Sequence, residues 1–167
     1  MDQLKGRPTK YIPQRPGSAG VAQTLDLMRK LTREGKKNQL IRELAVKLTR
    51  DLPQKDWMGE VAAIHNFVQN HIRYVRDVRG VETLQEPQVT LDVGSGDCDD
   101  KSILAASLLE AIGHPTRFVA MGFLPGNYCH VTVQTRIGPN WRTVETTEPV
   151  QLGWVPPGLR NVMVRHV

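Results

Sequence analysis

Three residue types able to act together on a carbonyl occur in order along this chain: Cys98, His130 and Glu145. Cys98 stands in Gly94-Ser95-Gly96-Asp97-Cys98-Asp99-Asp100-Lys101, where a glycine-rich turn runs into a long apolar helical pattern. In a helix's first turn the unpaired backbone N–H groups and the macrodipole favour thiolate over thiol. Asp97, Asp99 and Asp100 push the other way, although carboxylates also belong in a first turn for structural reasons. A thiol, an imidazole that takes its proton and a carboxylate that holds the imidazole are the parts of acyl transfer through a thioester. Spacing alone leaves the bland alternative open, a structural cysteine beside an ordinary strand histidine.

Elements must bring these groups together. Residues 1–20 carry Pro8, Pro13 and Pro16 among glycines and few large apolar groups, which predicts a flexible arm. Between Val21 and Arg50 the apolar residues recur at helical spacing, with a break at Glu34–Asn38, so two helices are expected. Trp57 to Ile72 predicts a third. Residues 73–93 look irregular, with Gly80 and Pro87 interrupting any pattern. A helix from about Cys98 to Ile112 follows, stopped by Gly113 and Pro115. Thr116–Phe123 reads as a strand, Cys129–Ile137 as an alternating strand, Gly138-Pro139-Asn140 as a turn and Trp141–Thr147 as a returning strand. The alternation places Cys129 on the apolar face as a small core residue. It places His130 on the other face, expected to meet the helix of Cys98, and sets Glu145 nearly opposite residues 130–132. Helices followed by strands imply an α+β domain, residues 21–167, in which a helical layer (21–75) precedes the core (80–167).

Composition narrows the function classes. At 167 residues and 40% hydrophobic content the chain fits one globular domain. No apolar run approaches a membrane span, and Met1-Asp2-Gln3-Leu4-Lys5 does not read as a signal peptide. Two cysteines make no disulfide framework, and a nucleophilic Cys98 excludes a bridge to Cys129, so a reducing compartment is expected. Residues 1–50 hold 12 Lys/Arg against 4 Asp/Glu, a balance of +8, while the rest hold 10 against 13, a balance of −3. That asymmetry suits either a solvated helix face or contact with an acidic protein partner. Without zinc-finger spacing, basic–aromatic interleaving or a phosphate loop, nucleic acid is not an expected partner.

The run from Gly96 to Arg117 resembles the nucleophile segment of the transglutaminase-like (papain-fold) superfamily. Both have a Gly-x-Cys at a helix start, an Ala/Leu-rich helix and a Gly-x-Pro-x-Arg turn, here Gly113-His114-Pro115-Thr116-Arg117. His130-Val131-Thr132-Val133 is similar to that family's histidine strand, and Trp141-Arg142-Thr143-Val144-Glu145-Thr146-Thr147 to its Trp-x-x-x-Asp-x-Thr strand. The likeness covers roughly residues 80–150, and its nearest form is the small transglutaminase-like proteins encoded among tailed-phage structural genes. Glu145 departs from the family's usual Asp and moves the carboxylate out by one methylene. The family's aromatic residue near the histidine strand is represented only by Tyr128.

The resemblance implies a papain-like core with the nucleophile helix on an antiparallel sheet. It implies a cysteine hydrolase or acyltransferase acting on a peptide or glutamine amide, with Cys98 as nucleophile, His130 as base and Glu145 as orienter. The backbone N–H of Cys98 is the first oxyanion donor, and Gln85, ahead of Gln88, is the candidate side-chain donor. No cofactor or metal is expected. A metal site of Asp97, Cys98, Asp99 and His130 is disfavoured because adjacent helix residues point in different directions. The alternative is a catalytically inactive transglutaminase-like structural or adaptor module, with a phage particle as one setting for it. The expected location is the cytoplasm or the virion.

Overall fold

In a computed structural model, the structure describes residues 9–11, 17–77 and 82–167. The elements run β1 (Thr9–Tyr11), α1 (Ser18–Gly35), α2 (Gln39–Thr49), α3 (Trp57–His71), β2 (Arg73–Tyr74), β3 (Thr83–Gln85), α4 (Pro87–Val93), β4 (Ser95–Gly96), α5 (Cys98–Ala111), β5 (Thr116–Gly122), β6 (His130–Ile137), β7 (Asn140–Val144) and β8 (Asn161–His166). This is the α+β arrangement expected.

The break between the first two long helices falls where Asn38 supplies a cap, its side chain accepting from the Leu40 and Ile41 amides. α3 begins at Asp56, which accepts from the Gly59 amide. α5 is central. Every residue from Asp99 to Leu109 is buried, the composition of a helix covered on all sides. The helices α1, α2, α3 and α4 pack around it, and the sheet closes the remaining side.

That sheet has the order β7-β6-β5-β8, all antiparallel. Phe118 and Ala120 of β5 pair with Val133 and Val131 of β6, and all four join Ile103, Leu104 and Leu108 of α5 in one core. Polar ties hold the layers. Glu110 at the end of α5 receives the Thr116 amide at 2.7 Å and the Lys36 ammonium at 3.2 Å. His114 reaches Glu60 of α3 at 2.6 Å, and Arg165 of β8 reaches Asp26 of α1 at 3.2 Å.

Two stretches differ from the sequence expectation. Residues 73–93 are not irregular throughout, because β2, β3 and α4 lie there. Pro87 does not break a helix but starts one, at the first-turn position where its missing N–H costs nothing. β8 supplies an edge strand that the expectation lacked altogether. Of the arm, Thr9–Tyr11 is described as a strand antiparallel to β3 and Ser18–Gly20 already belongs to α1; residues 1–8 and 12–16 lie outside the described residues. Among the described residues no helix is long and apolar enough to cross a membrane.

Candidate active site

The turn ahead of Cys98 is built around two glycines. Gly94 ends α4 in the left-handed conformation at φ 69°, which glycine adopts without strain. At Gly96 a Cβ would lie 2.6 Å from Asp100 Cβ, so only glycine lets the chain pass the first turn of α5. Asp97 caps that helix. Its Oδ1 accepts from the Asp100 amide at 3.0 Å, and Asp100 Oδ2 accepts in return from the Asp97 amide at 3.3 Å. Cys98 is thereby fixed as the first helical residue.

His130 is the first residue of β6, and its Nε2 lies 2.7 Å from Oε2 of Glu145, which is 1% exposed. The other carboxylate oxygen accepts from the backbone amides of Thr147 at 2.7 Å and Glu148 at 3.3 Å. The Val131 N–H, one residue past His130, is directed at the Cys98 sulfur, and the charge of Glu145 is felt there. The structure thus joins His130 to Glu145 and brings the residue after His130 to the Cys98 sulfur. The route differs from the expected one, since the face of β6 packed on α5 is that of Val131 and Val133. His130 comes to the site from the strand's end, not from the helix-facing side.

Cys129 departs from the expectation. It is an exposed free thiol, not a core residue. β6 begins after it, so the alternation that placed it inside does not reach it; its amide bonds the Met121 carbonyl while its side chain faces out.

The electrostatics run against a resting thiolate. Burial pushes the Cys98 thiol well up, and the charges of Asp99 and Asp97 push it further, against a small downward pull from the Val131 N–H. Burial, with the Asp100 charge next, raises Asp97 from 3.8 to about 7. Burial raises Asp100 to about 6, and the Gln85 amide opposes it. Burial and the Asp97 charge push Asp99 well up too. Glu145 is the exception. Burial alone would raise it, but the hydrogen bond and charge of His130 and the two backbone amides hold it below its ordinary value.

Gln85 is close to this turn, but its amide nitrogen donates to Asp100 Oδ2 at 2.9 Å and its backbone N–H to Asp100 Oδ1 at 2.8 Å. Its carbonyl oxygen is buried without a partner. Gln88 donates to Glu86. The acidic residues are spent on different tasks: Asp97 caps, Asp100 receives Gln85, and Asp99 Oδ1 lies 3.8 Å from the Cys98 sulfur. Among the described residues no three His, Cys, Asp or Glu side chains converge to hold a metal ion.

Two contributions were not foreseen. Lys101, one turn along α5 from Cys98, is 2% exposed and donates to the Ile72 carbonyl at 2.6 Å, tying α5 to the end of α3; burial lowers its pKa. His65 of α3 bonds the Glu145 carbonyl at 2.7 Å. The signal for both was a polar side chain on the buried stripe of a helix.

The transglutaminase-like superfamily model matches residues 42–156, well over half of the chain. The chain belongs to that superfamily. Its fold is similar to that of Legionella pneumophila LapG in the calcium-bound form, with TM-score 0.58 and 18% identity over 80% of this chain and 80% of that one. It is also similar to a candidate cysteine protease from Cytophaga hutchinsonii, with TM-score 0.56 and 21% identity over 75% of this chain. A candidate protease from Parabacteroides distasonis shares the fold at TM-score 0.56 and 16% identity over 77% of this chain. This chain spans 41% of the Cytophaga protein and 26% of the Parabacteroides protein. No curated protein matches the sequence.

Proposed function

We propose that this protein is a cysteine hydrolase or acyltransferase acting on a peptide or glutamine amide, with Cys98 as nucleophile, His130 as base and Glu145 as orienter. The observation that carries this is the 2.7 Å His130–Glu145 bond beside a Cys98 sulfur approached by the Val131 N–H. Glu145 commits Nε2 of the imidazole, which leaves Nδ1 for the thiol.

The raised thiol pKa argues for proton removal during attack rather than a standing ion pair. His130 takes the thiol proton as sulfur bonds the carbonyl carbon. The oxyanion takes the Cys98 backbone N–H, each well-placed donor being worth about 3–4 kcal/mol. Gln85 is the candidate second donor, through the amide hydrogen left after the Asp100 bond. The C–N bond then breaks, His130 gives its proton to the leaving amine or ammonia, and a thioester remains. Water, deprotonated by His130, releases an acid; a lysine amine in its place makes a crosslink. The candidate-protease neighbours favour a protein or peptide substrate and the hydrolytic branch.

The test is intact-mass trapping of an acyl-enzyme with a panel of peptide amides. An adduct is expected on Cys98, lost in Cys98→Ala and His130→Ala. Adducts that persist in Cys98→Ala refute the assignment. The upward-pushed thiol also supports a second reading, an inactive transglutaminase-like structural module; it predicts no adduct from any amide. A groove of about 550 Å³ along α2, where Lys37, Arg42, Lys47 and Arg50 outnumber the single carboxylate of Glu43, is the proposed contact for an acidic protein partner. Such binding weakens steeply with salt.

A further inference from the structure

Glu145 stands one residue beyond β7, whose pairing with β6 ends at Val144. The sheet ladder therefore does not fix the residue on which the proposed base depends. Two side chains of α3, one turn apart on the same face, meet the segment that carries it. His65, 3% exposed, reaches the Glu145 carbonyl at 2.7 Å through Nε2. Burial lowers its pKa, and a neutral imidazole facing a carbonyl must carry its hydrogen on the nitrogen that faces it. Gln69 Nε2 donates to the Glu148 carbonyl at 2.6 Å and the Val150 carbonyl at 2.9 Å, and lies 3.5 Å from the Glu145 carbonyl.

The same short segment returns two amides, of Thr147 and Glu148, to one oxygen of the Glu145 carboxylate. Its carbonyls are thus held from α3 while its N–H groups hold Oε1, which leaves Oε2 for His130. α3 is itself anchored to the nucleophile helix, because the Lys101 ammonium binds the Ile72 carbonyl at its end.

We propose that His65 and Gln69 are positioning residues that set the Glu145 carboxylate against His130, with α3 relaying the position of the Cys98 helix to the carboxylate segment. This rests on the Cys98–His130–Glu145 assignment above. A merely structural role would hold the loop without changing how Glu145 acts.

The experiment uses the full chain and two readouts. The first is the acylation rate of Cys98 with the amide trapped above, for Gln69→Leu and His65→Gln in wild-type and Glu145→Ala backgrounds. Gln69→Leu removes the donors at similar volume, and misplacing the carboxylate should slow acylation about 10–100-fold. His65→Gln, which keeps an N–H, should lose much less. In the Glu145→Ala background Gln69→Leu should cost almost nothing further, because both act through one group. An equal cost in both backgrounds overturns the proposal. The second readout needs no substrate: the His130 Nε2–H proton in the NMR spectrum should move upfield or exchange away in Gln69→Leu. An unmoved signal in the folded variant overturns the proposal even if wild type forms no acyl-enzyme, which would instead count against the enzymatic function. Should Gln69→Leu not fold, Gln69→Asn, one methylene short, must show a smaller change of the same sign in both readouts.

Discussion

Asp97→Asn should make the protein more stable, by an amount that depends on pH. In the folded chain burial and the neighbouring Asp100 charge lift Asp97 from 3.8 to about 7. An acid whose folded pKa is raised keeps its full contribution below the unfolded value, and loses it as pH climbs through the folded value. Asp97 thus begins to cost stability near pH 4 and reaches its full cost above about pH 7. Three units at about 1.4 kcal/mol each give about 4 kcal/mol. Asp100, raised to about 6, shares the same repulsion, so its cost is not simply added. Asparagine keeps the capping oxygen that accepts the Asp100 amide, so the helix start survives the substitution. The measurement is urea unfolding of both proteins from pH 4 to pH 8 in chelated buffer. Taking the difference between them removes the opposing trend of buried His65, whose lowered pKa costs stability as pH falls below 6.5. The gain should be near zero at pH 4 and approach about 4 kcal/mol at pH 8. A difference that is flat across this range, or that shrinks as pH rises, refutes the argument that Asp97 carries an uncompensated buried charge.

Asp99→Asn should lower the Cys98 titration and speed its alkylation at neutral pH, because after burial the Asp99 charge is the largest influence raising the thiol; peptide mapping after iodoacetamide reads this. In the unaltered protein the exposed Cys129 should be labelled first at neutral pH, and Cys98 only slowly; the reverse order would show the Cys98 thiol to be activated at rest. Gly122→Ala should destabilise by about 1–3 kcal/mol or more in urea, since the added Cβ would fall 1.5 Å from the Asn127 carbonyl oxygen in the loop leading to His130. Deleting residues 1–16 should leave a folded protein by circular dichroism, because β1 pairs with β3 and not with the four-stranded sheet.

The elements that carry Cys98 and His130 were legible because their patterns are local. Asp97 followed by an apolar run and closed by Gly113 marks a helix from either end, and Val131, Val133 and Thr135 alternate with polar residues. α4 was missed because Pro87 carries opposite meanings at a helix start and a helix interior, and seven residues give too little periodicity to choose. β8 was missed because Val162, Met163 and Val164 are consecutive apolar residues on an edge strand, with Val162 and Val164 exposed. Cys129 was misplaced by extending the β6 alternation one residue too far. That Glu145 returns close to residues 130–132 was legible from the hairpin turn, although the ladder itself stops at Val144, whereas His65 and Gln69 reach the 145–150 segment across 80 or so residues of chain, a relation that only the folded state expresses.

The order in which the chain is synthesised gives the α3 contacts one more consequence. Residues 57–71 and the Cys98 helix leave the ribosome well before residues 145–150. Synthesis proceeds at about 5–20 residues per second, so Cys98 spends seconds on a nascent chain before Glu145 is made. Val131 and Glu145, both of which act on the Cys98 thiol in the folded chain, are then still to come. His65 and Gln69 wait as unfilled donors for carbonyls not yet made. Arrival of the 145–150 segment then fills the α3 donors and closes the Glu145–His130 bond, so the proposed site is complete only once that segment has been made.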